Sequence, residues 1–233
     1  MKHALVTGGT RGIGYGVVEV LLEAGWSVTA TGVSEQEVAG CPPHERLTAR
    51  PLDVTDQAAV EALVGGLERL DGLVNCAGIL LRGQEYDLET FQRVIDVNLV
   101  GTMRLCVACR PLLAEARGAI VNTASMLSFF GGPMVPAYSA SKGGVAQLTK
   151  ALAAKWAAEG IRVNAVAPGW IETGMTQGLR DDKAREAAIL GRTPLGRWGL
   201  PREVGEQVAW LLSDKASFTT GAVLPVDGGY LAV

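Results

Sequence analysis

The sequence predicts an α/β fold: a doubly wound parallel sheet of about seven strands with helices on both faces. Three observations predict it. Short β-branched, apolar runs alternate with longer helical patterns along all 233 residues. The runs are apolar on both sides of the strand, as a sheet covered on each face requires. A glycine-rich turn stands between the first run and the helix after it, and right-handed crossovers then gather the ligand loops at the strands' carboxyl ends.

The first strand is expected over 4–6, running into Thr7-Gly8-Gly9-Thr10-Arg11-Gly12-Ile13-Gly14 and then a helix. Glycines 8, 12 and 14 permit the tight turn, let the backbone approach a pyrophosphate and let the helix pack close, while free N–H groups at the helix start face the anion. A second strand over 27–31 enters a compact crossover, 33–46, in which Ser34-Glu35-Gln36-Glu37 caps a short helix stopped by Gly40 and Pro42-Pro43. The third strand, 47–52, precedes Asp53-Val54 and Thr55-Asp56, where Asp53 can cap the next helix. Strand four, 72–74, leads to Asn75-Cys76-Ala77-Gly78, and an apolar helical stretch covers 99–113. Strand five, 119–123, ends just before Ser125. A long helix over about 137–159 is rich in glycine and alanine, which permits close packing. Strand six, 161–166, is followed by Pro168-Gly169-Trp170-Ile171-Glu172-Thr173, and strand seven, 222–226, by Asp227-Gly228-Gly229.

Ser125, Tyr138 and Lys142 carry the chemistry. Tyr138 and Lys142 share one helix face at i,i+4, where a fixed positive charge favours phenolate over phenol. Bringing a phenol from about 10 to neutrality needs roughly 4 kcal/mol, more than one exposed lysine supplies, so a cationic cofactor is expected beside it. Together with the glycine loop, these motifs resemble the classical short-chain dehydrogenase/reductase family, in the family's order and over nearly the whole chain. Cys76 departs from the family's usual Asn-Asn-Ala-Gly.

The resemblance implies a Rossmann-like fold and an NAD(P)-dependent oxidoreductase that interconverts a secondary alcohol and a ketone. It implies a tetrad in which Tyr138 is the general acid and base, Ser125 holds the substrate oxygen, Lys142 binds the nicotinamide ribose and lowers the tyrosine pKa, and Asn98 holds a proton-relay water. Implied cofactor contacts are Gly8, Arg11, Gly12, Ile13 and Gly14 in the loop, the adenine-contacting pair Asp53 and Val54, then Asn75, Ala77 and Gly78. Pro168, Gly169, Ile171 and Thr173 would lie under the nicotinamide. An acidic side chain ending strand two would select NAD. Thr31-Gly32-Val33-Ser34 has none there, and Arg11 suits a phosphate, so NADP is slightly favoured over NAD; Glu35 and Glu37 keep the tilt slight. Ser34 is either a phosphate contact or the helix cap.

Met126, Leu127, Phe129, Phe130 and Met134 are expected to line an apolar substrate pocket, under a lid at about 173–200. Lid residues Arg180, Lys183, Arg185, Arg192 and Arg197 can be simply a solvated face. The long helix resembles the family's subunit-contact helix, which implies a homotetramer. Two other readings stand: a 3-oxoacyl-carrier-protein reductase, which the C-terminal half resembles, and a nucleotide-sensing binding protein without catalysis.

The chain is 48% hydrophobic and 19% charged, enough for one large core, and a single domain is expected over 1–233. A net charge of −3 with scattered basic residues gives nucleic acid no footprint. No run is expected to reach the roughly 18 apolar residues of a membrane-spanning helix, and no signal-peptide region precedes the first strand, so a cytoplasmic location follows. Cys106 and Cys109 lie in an apolar helix without partners for a tetrahedral site, so no metal is expected.

Overall fold

The computed structural model describes residues 1–233. In order, the elements are β1 (His3–Thr7), α1 (Gly12–Glu23), β2 (Ser27–Gly32), α2 (Glu35–Ala39), β3 (Leu47–Pro51), α3 (Gln57–Gly65), β4 (Gly72–Asn75) and α4 (Leu88–Ile95). A π-helical turn (Asp96–Val100) joins α4 to α5 (Gly101–Ala116), followed by β5 (Ala119–Thr123), α6 (Pro136–Trp156) and β6 (Arg162–Pro168). Then come α7 (Gln177–Arg180), α8 (Lys183–Arg192), α9 (Pro201–Leu212) and β7 (Val223–Val226). The strands form one parallel sheet in the order β3-β2-β1-β4-β5-β6-β7. The order reverses at β1 and β4, so a crevice opens where their carboxyl ends diverge.

Alternation along β1 divides the core between the two faces. Ala4 and Val6 point to the α1/α9 side with Val17, Leu21, Val204 and Val208. Leu5 points to the other, with Leu73, Leu105, Leu113, Ile120 and Leu152. Helices α1 and α9 approach so closely that a Cβ on Gly16 would lie 2.5 Å from the Pro201 carbonyl carbon, and one on Gly205 the same 2.5 Å from the Gly16 oxygen.

All seven expected strands form, several extended by a residue or two at the carboxyl end, where the loops gather. The long helix begins one residue early, because Pro136 suits the first helical turn, and its α-helical part stops at Trp156. A one-turn 3₁₀ segment, Ala157–Glu159, completes the expected span. The expectation about apolar runs needs correction: the continuous helical stretch Leu88–Ala116 is long and apolar enough, by length and composition, to cross a membrane. Its apolarity has another use here, since Leu105, Cys106, Cys109 and Leu113 are fully buried against the sheet. Burial pushes the Cys106 thiol up to about 12 and Cys109 also upward, as expected of core residues.

Candidate active site

The glycine loop is fastened on both sides. Gly9 N–H donates to the Thr31 carbonyl (2.9 Å), tying the loop to β2, and Ala77 N–H donates to Thr7 Oγ1 (3.2 Å), tying it to the exit of β4. Gly8 is left-handed (φ 62°), and a Cβ there would sit 2.9 Å from the Ala77 backbone. On Gly14 a Cβ would collide with the Gly8 carbonyl oxygen. Gly12, also left-handed, faces the Thr173 methyl group across the crevice. Only bare backbone fits this cradle. Arg11, the residue before α1, makes no side-chain cap, so the first-turn N–H groups remain available to an anion. The Thr10 hydroxyl is buried without a partner. These residues fit the pyrophosphate and ribose of a dinucleotide.

Ser125 follows β5 in extended backbone and opens a one-turn 3₁₀ helix, Met126–Ser128. Tyr138 and Lys142 stand on the first turns of α6. The Lys142 ammonium donates to the Thr123 carbonyl (2.6 Å) and lies 5.6 Å from the centre of the Tyr138 ring. Ser128 Oγ donates to the Lys142 carbonyl (2.7 Å) and accepts the Ser125 N–H (3.2 Å), so the serine loop and the helix move as one. Gly78 lies between Asn98 and Lys142: a Cβ there would be 3.3 Å from Asn98 Oδ1 and 3.7 Å from Lys142 Nζ. Asn98, Ser125, Tyr138 and Lys142 are thereby gathered at one end of β4 and β5.

Burial pushes the Tyr138 phenol up to about 12; hydrogen bonding with Ser125 opposes the rise and the Glu85 carboxylate adds to it. Burial also pushes Lys142 down to about 8, against a small opposing effect of Cys76. The lysine therefore does not lower the tyrosine pKa on its own. Each group is driven toward its neutral form, and a further positive charge in the crevice is needed to favour phenolate.

A family model described as enoyl-(acyl carrier protein) reductase matches residues 8–231. The chain is 41% identical over 245 positions to a 2-dehydro-3-deoxy-D-gluconate 5-dehydrogenase of Pseudoalteromonas atlantica, covering 99% of this chain and 96% of the relative. It is 43% identical over 246 positions to a cis-4-hydroxycyclohexanecarboxylate dehydrogenase of Sinomonas cyclohexanicum, covering 100% and 97%. A crystal structure from Agrobacterium tumefaciens, described as a 2-deoxy-D-gluconate 3-dehydrogenase with bound NADP, superposes with a TM-score of 0.91 at 39% identity, covering 100% and 97%. The chain belongs to the short-chain dehydrogenase/reductase family. Its activity is the NAD(P)-dependent interconversion of a secondary alcohol and a ketone.

Within this short-chain dehydrogenase/reductase, several of the residues expected at the cofactor also hold the fold together. The Asn98 amide accepts the Ile79 N–H (2.8 Å) and donates to the Ile79 carbonyl (2.9 Å) and Ser141 Oγ (3.1 Å), so it pins the loop after β4. Asn75 turns into the core and donates to Asn122 Oδ1 (2.9 Å), leaving only its backbone near the crevice. Ser34 is the helix cap, accepting the Glu37 N–H (3.3 Å). Asp53 accepts the Thr55 N–H (2.8 Å) in a local turn, Asp56 caps α3, and Val54 is buried in the core. Ile13 packs on the core edge, and Ile171 is buried within it. Pro168 ends β6, and Gly169 abuts Asp227, where a Cβ would come within 2.7 Å of the Asp227 Cα.

Two groups escaped sequence reasoning. Glu85 is fully buried and accepts both the Leu81 N–H (2.9 Å) and the Tyr138 N–H (2.8 Å), clamping the loop after β4 to the start of α6. The Thr123 carbonyl, which receives Lys142, is a backbone atom and has no residue signature. Of the cations between 173 and 200, Arg180, Lys183, Arg185 and Arg197 pair with carboxylates. Arg192 has no such partner and lies instead on the rings of Tyr230 (4.3 Å) and Phe130 (5.4 Å).

Proposed function

We propose that the substrate is a small secondary alcohol bearing a carboxylate, or the corresponding keto acid. The observation that carries the chemistry is the convergence of Ser125, Tyr138 and Lys142 beside the glycine cradle. Tyr138 takes the hydroxyl proton in oxidation and returns it in reduction, Ser125 holds the substrate oxygen, and Lys142 holds ribose hydroxyls. The nicotinamide, when bound, supplies or receives the hydride. Asn98 holds the proton-relay water and fixes the loop at Ile79. The carboxylate is supported by the names of the two relatives, both sugar-acid or ring-acid dehydrogenases, and by Arg192, a guanidinium without an acidic partner beside the loop after Ser125. The segment 173–200 serves as the substrate lid, and 1–233 as one domain.

The test is a panel of hydroxy and keto acids with their methyl esters, followed at the reduced nicotinamide absorbance. Acids are expected to exceed esters in kcat/KM by about tenfold or more, as a paired charge implies. Preference for an acetoacetyl thioester over every free acid would favour the carrier-protein reading instead. We further propose a homotetramer built on the exposed apolar stripe Val100, Met103 and Val107 beside the small-residue face of α6. A cytoplasmic location suits four cysteines that are all free thiols.

A further inference from the structure

We propose that Glu85 is a positioning residue of the proton transfer, a carboxylate that caps the catalytic helix α6 from outside, fixes where Tyr138 stands and keeps its phenol in the acid form. The proposal rests on the reading of Tyr138 as the proton carrier. Helix α6 has no cap of its own. Its N-cap is Val135, whose side chain accepts no hydrogen bond, and Pro136 at the first helical position carries no N–H. Ser139 N–H reaches the Val135 carbonyl (3.0 Å), so Ala137 and Tyr138 hold the donors that the helix leaves over. Glu85, 53 positions upstream, accepts the Tyr138 N–H at 2.8 Å. Three contacts hold its loop in place: Leu81 N–H donates to the other carboxylate oxygen (2.9 Å), Gly83 N–H to the Met134 carbonyl (2.9 Å) and Tyr86 Oη to the Pro133 carbonyl (2.8 Å).

The charge needs a use beyond capping. Glu85 is fully buried, and its partners are backbone N–H groups, with no lysine or arginine paired to it. A hydroxyl or amide would cap the helix at a smaller desolvation cost. What the carboxylate adds is a field on the phenol. The positive end of a 21-residue helix and the Lys142 ammonium both favour phenolate at Tyr138, and a buried negative charge at that helix end opposes them with little screening. The other ionisable groups nearby are disposed differently. Cys76 lies by Lys142, Arg82 and Asp87 on the same loop are exposed, and α4, packed on α6, carries Glu89 and Arg93 at the surface and Asp96 hydrogen-bonded by Gln92. Glu85 is the carboxylate that acts on the phenol, in the same direction as burial. The tyrosine therefore stays protonated until a positive charge enters the crevice, as a proton donor to a ketone requires.

The experiment is the pH profile of kcat for oxidation of the best hydroxy acid of the substrate panel, in the parent, E85Q and E85D, with amide hydrogen exchange on the unliganded proteins and dinucleotide affinity by calorimetry. Glutamine keeps the length and one acceptor and removes the charge; aspartate keeps the charge and draws it back by one methylene. The acid limb is expected about one pH unit lower in E85Q than in the parent and about half as far in E85D, with dinucleotide affinity within about threefold. Exchange of the Tyr138 amide proton should quicken by about tenfold or more in both variants, as a weakened cap implies. Should E85Q fail to fold, E85D decides by the same criterion. An acid limb that stays at the parent's pH in a folded variant, even one that melts earlier, makes Glu85 a structural clamp only and refutes the proposal while the proton carrier stands. Parent-level turnover in Tyr138→Phe removes the proton carrier, and the proposal with it.

Discussion

Tyr138 and Lys142 are each most at ease uncharged, and that has separate kinetic and thermodynamic signatures. Removing the phenol oxygen in Tyr138→Phe should lower turnover by about 10³-fold while leaving dinucleotide affinity nearly unchanged, compared by steady-state rates and calorimetry. Parent-level activity would dismiss the tyrosine as proton carrier. For Lys142 the fold holds a pKa of about 8 against an ordinary 10.5, so the folded chain loses this proton first as pH rises. Between those values the unfolded chain binds more protons, and stability climbs with pH by up to about 3 kcal/mol; below about 8 the cost of the buried charge is fully present. Urea unfolding at pH 7 and 9.5 should show about 2 kcal/mol of that gain in the parent and lose it in Lys142→Met. Above 10 the raised Tyr138 pKa acts in the opposite sense. Sequence spacing was enough to place Tyr138 and Lys142 on the first turns of one helix because an i,i+4 pattern is local. It could not find Glu85, since a carboxylate among Arg82, Gln84 and Asp87 looks like solvated loop until the fold closes over it.

Helices α1 and α9 meet at Gly16 and Gly205 with no room for a methyl group. Gly205→Ala should cost about 1–3 kcal/mol in chemical denaturation, because overpacking outweighs the better helix propensity of alanine. An unchanged or raised midpoint would show that the helices can part without penalty. This contact was illegible in the sequence, where a glycine within a helical pattern signals only poor propensity. The strands were legible because burial on both faces leaves no polar positions to confuse the pattern. The apolar content of Leu88–Ala116 was underestimated for a related reason: Arg93, Arg104 and Arg110 interrupt the run in sequence, while the buried residues cluster on one helix face.

At the scale of the molecule, the outward stripe of Val100, Met103 and Val107 on and just before α5 is spaced like neighbours along one helical ridge. Light scattering should give about four times the 24.4 kDa chain mass, and Val107→Lys should lower it. A monomeric parent would remove the assembly proposed here. Sequence supplied the small-residue helix α6 but not this stripe, since exposure is a property of the folded whole. The segment after β6 is organised differently from the rest. Leu179, Ile189 and Trp198 form a miniature core of their own, touched by Trp170 and Leu190, apart from the two large clusters on the sheet. Its ends meet where Ile171 bridges Gly199. On the proposed reading of this segment as the substrate lid, a private core lets its outward residues vary without unpacking the sheet clusters.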